Sequence, residues 1–186
     1  MTSAGTITPQ DVLDFWYAGD ISIQWFNSTQ SLDMRILNEY GSIWQQARDG
    51  KLDAWQHTPE GCLALAIVLD QFPLNMFRGK PESFSTEVNA INVSKWAIRQ
   101  GYDKALPTSQ VAFLYMPLMH SENLDDQDLS VLKFEQAGLD NNARFARHHR
   151  AIVQRFGRFP HRNAILGRNS TQEELDWLAS DEAFKG

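Results

Sequence analysis

The stretch "HTPEGCLALAIVLDQ", His57 to Gln71, limits what this chain can fold into more than any other. Thr58 has the chemistry of a helix N-cap, and Pro59 suits a first helical position. Cys62 to Leu69 then forms an unbroken run of eight apolar residues. A helix that is apolar on every side must be enclosed on every side. The run therefore predicts a central buried helix with other elements packed around it. A buried strand is the competitor, but the cap signals and the Leu/Ala content favour helix.

The remaining segments carry similar punctuation. Thr8, Pro9 and Asp11 read as cap, first helical position and capping-box acid. From Ser31 to Arg48, Leu32, Ile36, Tyr40, Ile43 and Ala47 recur at helical spacing, and Gly50 follows. Ser85 is expected to cap a helix that stops at Gly101. A short helix around Ser109 to Tyr115 is expected to break at Pro117, leaving "LMHSEN" as a connection. Residues 124 to 137 and 140 to 156 read as a helix pair joined at Gly138. Ser170 with Glu173 reads as the capping box of a last helix. Strand alternation and internal linkers are absent from the pattern. The prediction is a single all-α domain over residues 1–186, either a bundle or a short stack of antiparallel helical hairpins.

The 186-residue chain is long enough to bury a full core. No segment approaches the apolar length of a membrane span, and the N-terminus lacks the pattern of a secretory signal. The lone Cys62 reads as a small buried hydrophobe. Together these features predict a cytoplasmic protein with no membrane partner.

The net charge of −6 conceals an asymmetry. Asn141 to Arg168 holds seven Arg and no Asp, Glu or Lys, which leaves 10 basic against 23 acidic side chains elsewhere. Arginine keeps its charge when partly buried and pairs bidentately with carboxylate or phosphate. Such a segment either neutralises the acidic remainder or holds an anion. Nucleic acid is not an expected partner of a chain that is acidic overall and lacks a recognised motif.

The core of this segment is "FGRFPHRNAILGR", Phe156 to Arg168. It echoes "QFPLNMFRG", Gln71 to Gly79: Phe-Pro, then asparagine, then glycine. Proline disfavours helix at the residue before it, so both phenylalanines are expected to leave the preceding helix. Asparagine suits the turn that follows.

Three polar features need partners. Asp70 closes the most apolar helix, where the helix dipole and burial both oppose a carboxylate. An arginine from the basic segment is the expected counter-charge, with Gln71 beside it. His149 falls on one helix face with Phe145, Ile152 and Phe156, so it reads first as a buried, hydrogen-bonded histidine and second as a base. His148 is expected to be exposed. In "YMPLMHSENLDDQ", Ser121 beside His120 is not a nucleophile–base pair, because sequence neighbours do not set that geometry. His120, Glu122 and His149 are donor types that zinc or iron accepts, but H-x-E spacing is not diagnostic. Phosphate-binding loops, G-x-G-x-x-G and H-E-x-x-H are all absent, so no metal or cofactor is expected.

The stretches "LALAIVLDQFPLNMFRG", "YMPLMHSENLDDQ" and "HRAIVQRFGRFPHRNAILGRNSTQEEL", with "VLDFWYAG", "QWFN" and "LDAW", resemble bacterial domain-of-unknown-function family 924. The likeness extends over nearly the whole chain. It implies an all-α, tetratricopeptide-like array of helices and no established activity. The positions that match the family's polar motifs are Asp70, Gln71, Asn75, Arg78, His120, Ser121, Glu122, Gln127, His149, Arg158, His161, Arg162, Asn163 and Arg168. The chain departs from the family pattern at Leu74, where an arginine is usual, and at Glu87, where an aspartate is frequent.

The leading functional expectation is a binding module. Asp70, Gln71, Asn75, Arg78, Arg158, His161, Arg162, Asn163 and Arg168 would line a polar pocket for a small anionic molecule or acidic peptide. The alternatives are an enzyme using His120, Glu122 and His149 in acid–base chemistry, and a scaffold whose polar motifs are internal ion pairs.

Overall fold

The computed structural model describes residues 6–181 and 183, and helix is the dominant element among them, with no strand. The helices are α1 (Pro9–Trp16), α2 (Gly19–Ser22), α3 (Gln30–Arg48), α4 (Pro59–Ala66), α5 (Phe72–Met76), α6 (Glu87–Gln100), α7 (Thr108–His120), α8 (Leu124–Gln136), α9 (Asp140–Phe156) and α10 (Gln172–Leu178). The chain is all-α. Its contacts gather into two compact units. One runs through Arg78 and includes Glu82–Pro117; the other comprises Gly79–Pro81 and the chain from Leu118 onward.

The first unit is built around the apolar run. Cys62 to Leu69 is buried throughout, and α4 packs against α1 and α6. Thr58 caps α4 by accepting the Gly61 N–H. Gly61 is required here. A Cβ at this position would lie 1.9 Å from the Trp55 carbonyl oxygen, in the 3₁₀ turn Asp53–His57. Aromatic rings close the other side of this core: Trp16 meets Phe72 and Phe113 edge-on at 5.7 and 5.4 Å.

The expectation that Phe72 leaves the helix is wrong. Phe72 is helical, and α4 continues through a π turn, Ile67–Gln71, into α5 with Pro73 inside. The physical reason lies in the backbone hydrogen bonds. In an α-helix Pro73 would crowd the Leu69 carbonyl and leave it without a donor. The π turn widens the helix there, and Phe72 N–H donates five residues back to Ile67. The Leu69 carbonyl instead accepts from the Thr86 hydroxyl at 2.6 Å. Thr86 Oγ1 in turn accepts from Trp44 Nε1 at 3.1 Å. Phe159, by contrast, does leave the helix in an extended conformation, so the two Phe-Pro junctions are not equivalent.

Three further boundaries differ from the sequence expectation. Pro117 does not end α7, which continues to His120. Its neighbours Tyr115, Met116, Leu118 and Met119 are buried. Burying them is worth about 1.5–3 kcal/mol each, enough to outweigh the ~3 kcal/mol penalty of a helical proline. The residue before α6 is Thr86, not Ser85. It makes no side-chain cap because its hydroxyl is committed to Leu69, while Ser85 Oγ donates to Glu82. Finally, α3 is capped by Thr29, so its first turn begins one residue before Ser31.

In the second unit, α8 and α9 pack on one another and are joined through Gly138, as the sequence predicts. Gln127 fixes the start of this unit. Its side-chain amide donates to the Met119 and Ser121 carbonyls, both at 2.7 Å, satisfying the end of α7. Gly157 stops α9 with φ of 71°, a conformation that favours glycine. Ile152, Val153, Phe159 and Trp177 then form the core beneath the basic turn.

Candidate functional site

The predicted site residues divide between the two units. Asp70, Gln71, Asn75 and Arg78 form one chain of hydrogen bonds in the first. Gln71 Nε2 donates to the Asp70 carboxylate at 2.6 Å and lies 3.7 Å from Met116 Sδ. Asn75 Nδ2 donates to the Gln71 carbonyl at 2.9 Å. Arg78 is bidentate on Asp33, at 2.9 and 3.2 Å, and also reaches Ser28 and Asn75. Leu74, where the family pattern has arginine, is half-buried in α5.

The other candidates lie in the second unit, around the turn that follows Gly157. Two arginines flank this turn, and both are held by carboxylates. Arg158 grips Glu174 through Nε and Nη2, at 2.7 and 2.8 Å. Arg168 grips Glu122 through Nη1 and Nη2, at 2.7 and 2.8 Å. Glu122 also accepts the Phe159 N–H at 2.7 Å, and Arg168 donates to the Phe159 carbonyl at 3.1 Å. The exit of the chain at Phe159 is thus pinned on both backbone groups.

Asn163 joins the two pairs. It is 1% exposed. Its Oδ1 accepts from Arg168 Nε at 2.9 Å, while Nδ2 donates to Ser170 Oγ at 3.0 Å and Glu174 at 3.2 Å. Arg162 is buried, donates to the His120 carbonyl at 2.8 Å and lies over the Phe159 ring at 4.7 Å.

Glu174 is the residue that sequence reasoning missed. The capping box is Thr171 with Glu174, not Ser170 with Glu173. Both pairs have the right spacing, so spacing alone does not choose between them. Tertiary partners choose: Arg158 and Asn163 hold Glu174, Ser170 turns to Asn163, and Glu173 faces outward to Arg155 at 2.9 Å.

Electrostatics follow this geometry. The Arg158 hydrogen bonds, aided by the Thr171 N–H and Asn163, outweigh desolvation and bring the Glu174 carboxyl down to about 2. Burial pushes the Glu122 carboxyl up, but Arg168 and the Phe159 N–H more than offset this and leave it below its ordinary value. Burial brings His149 down to about 3, although its Nδ1–H donates to the Phe145 carbonyl at 2.9 Å. Burial, with Arg162 adding to it, brings His161 down to about 4. Phe145 does not share the enclosure of His149. It is 40% exposed, with the Arg144 guanidinium over its ring. His148 is half-buried rather than exposed.

Among the outward arginines of α9, Arg144 donates to the Asn141 side chain and the others are paired with carboxylates. Arg147 meets Glu135, and Arg150 meets Asp128. An open depression of about 340 Å³ lies beside the turn, lined by Arg155, Phe156, Arg158, Thr171, Glu173 and Glu174. Its two cations are paired with its two carboxylates, so its lining carries no net charge. Among the described residues no group of three or more His, Cys, Asp or Glu side chains is placed to hold a metal ion. No helix among them is long and apolar enough to cross a membrane.

Fold and turn together define an all-α protein in which Arg158 and Arg168, flanking the basic turn, are held in internal ion pairs. The chain belongs to the family described as bacterial protein of unknown function, DUF924, which matches residues 12–182. It is also similar to the solved structure of a protein of unknown function from Agrobacterium tumefaciens. The identity is 35%, the match covers 92% of this chain and 96% of the other, and the TM-score is 0.86. No curated protein matches it.

Proposed function

We propose that the protein is a helical scaffold whose basic turn fastens its own fold rather than presenting charge to an anion. One observation carries this reading: Arg158 and Arg168, the guanidiniums best shaped to grip a carboxylate or phosphate, are each bidentate on an internal glutamate. An anion competing for them would leave Glu174, which is 2% exposed, without its strongest donors. The loss of a buried charge's partner is strongly unfavourable. The Asn163 amide is likewise used on both sides within the turn. Acid–base chemistry has less support than fastening, because Glu122 is held by Arg168 and the Phe159 N–H, and His149 is 5% exposed.

The test is a thermal-shift screen at pH 7.5 with phosphate, citrate, nucleoside phosphates and acidic peptides. The scaffold reading expects shifts no larger than those produced by chloride at equal ionic strength. A saturable rise in Tm with one anion, abolished in an Arg162→Ala variant that still folds, would overturn it in favour of the anion-binding pocket.

A further inference from the structure

We propose that the segment Gly157–Arg168 is an acid-released latch, held shut by the packing of His149, His161 and Arg162 around Phe159. The proposal rests on the reading of this turn as an internal fastener and names the condition that undoes it. Phe159 is fully enclosed. The His149 ring meets it edge-on at 5.5 Å, the His161 ring lies at 5.6 Å, and the Arg162 guanidinium sits over it at 4.7 Å. One cation over an aromatic face is favourable. Charging either histidine places a second cation beside the same ring and sheltered from water, and His161 also feels the charge of Arg162 directly.

The charged and titratable groups that act on the two rings come from several elements. His120 comes from the end of α7, His148 from α9, Glu122 from the α7–α8 connection, and Arg162 and Arg168 from the turn. Glu122 is the one anion in this set, and it is already bidentate on Arg168 while accepting the Phe159 N–H. A His161 imidazolium therefore competes with Arg168 for Glu122. Success in that competition loosens the two contacts that pin Phe159.

The direction of the pH effect follows from burial. Both rings are held well below the ordinary histidine value of 6.5, at about 3 for His149 and about 4 for His161. With the segment released, His161 and the uncovered His149 of α9 bind protons near 6.5, and with it latched they do not. The latch is thus firm above that value and weakens as pH falls from 6.5 toward 4. With two histidines, each pH unit in that window multiplies the released-to-latched ratio by up to about 100. The second clasp titrates elsewhere. Glu174, held at about 2, keeps its charge at pH 5, so its pairing with Arg158 is not itself titrated in the window where the histidines charge.

The experiment pairs histidine-ring NMR titration with hydrogen exchange corrected for intrinsic rate at pH 7.0 and 5.0. The expected result has three parts. Apparent midpoints of His149 and His161 fall below 6. Protection in residues 157–168 is lost in step with them, while α8 and α9 stay protected. A His149→Gln/His161→Gln variant keeps the turn protected at both pH values. Ring midpoints near 6.5 with the turn still protected would overturn the proposal, as would equal loss of protection along α8 and α9. If the double variant does not fold, the wild-type ring titration and exchange decide the matter alone. The anion screen is read at pH 7.5, where the latch is shut, so failure of the fastener reading is seen separately.

Discussion

Glu174→Ala is expected to lower the stability of the second unit by about 4 kcal/mol, the range found when one partner of a buried pair is removed. The carboxylate is 2% exposed and accepts from Arg158 twice, from Asn163 and from the Thr171 N–H. Alanine removes all four bonds at once. It leaves Asn163 Nδ2 with only Ser170 and opens the first turn of α10. Urea unfolding measures the loss, and hydrogen exchange should locate it in residues 158–178. Glu173→Ala is the control. That residue also pairs with an arginine, but the side chains of Arg155 and Glu173 are 49% and 63% exposed. An exposed pair of this kind contributes about 0–1 kcal/mol. A Glu173→Ala loss as large as that of Glu174→Ala would contradict the assignment of the capping box.

The second large effect is expected at Thr86→Val. Valine has nearly the shape of threonine and lacks the hydroxyl. Thr86 is fully buried, and its Oγ1 both donates to the Leu69 carbonyl and accepts from Trp44 Nε1. The substitution leaves two buried polar groups unpaired. At about 1–3 kcal/mol each, the combined loss is about 3–4 kcal/mol. Thr86→Ser keeps the hydroxyl and should recover more than half of it. A Thr86→Val protein as stable as wild type would show that the Leu69 carbonyl has another donor and that the π turn does not depend on this relay.

These two residues mark where the sequence could and could not be read. The all-α fold was legible because its signals are local: Thr8 and Thr58 as caps, the apolar run from Cys62, the spacing of Leu32, Ile36, Tyr40 and Ile43, and Gly101 as a stop. Pro73 and Pro117 misled because proline's local preference yields when burial on both sides outweighs one lost hydrogen bond. The freed Leu69 carbonyl is then satisfied by a residue 17 positions away. No local pattern announces that partner. The cap at residue 171 was displaced for the same reason, since tertiary partners took the Ser170 hydroxyl and the Glu174 carboxylate, whereas before α6 Thr86 gives its hydroxyl to Leu69 and Ser85 gives its own to nearby Glu82.

The candidate site was legible in composition but not in connection. An all-arginine segment pointed to specific ion pairing, and the structure places Glu122 on Arg168 and Glu174 on Arg158. Glu122 was visible as a polar motif residue, read both as a catalytic candidate and, in the scaffold alternative, as a partner in an internal ion pair. Glu174 and Asp33 looked like ordinary acids on helical segments. Only the fold shows that they face Arg158 and Arg78.

The central claim, that the arginines of the turn serve internal carboxylates, is tested most directly by a double-mutant cycle on Glu122 and Arg168. Glu122→Gln, Arg168→Met and the double variant would be compared with wild type by urea unfolding at pH 7.5. The half-buried bidentate pair predicts a coupling energy of about 1.5–3 kcal/mol, with the double variant more stable than the sum of the single losses implies. A coupling within about 0.3–0.5 kcal/mol of zero, the scatter of independent sites, would contradict the account and return Arg168 to the set of groups available to a ligand.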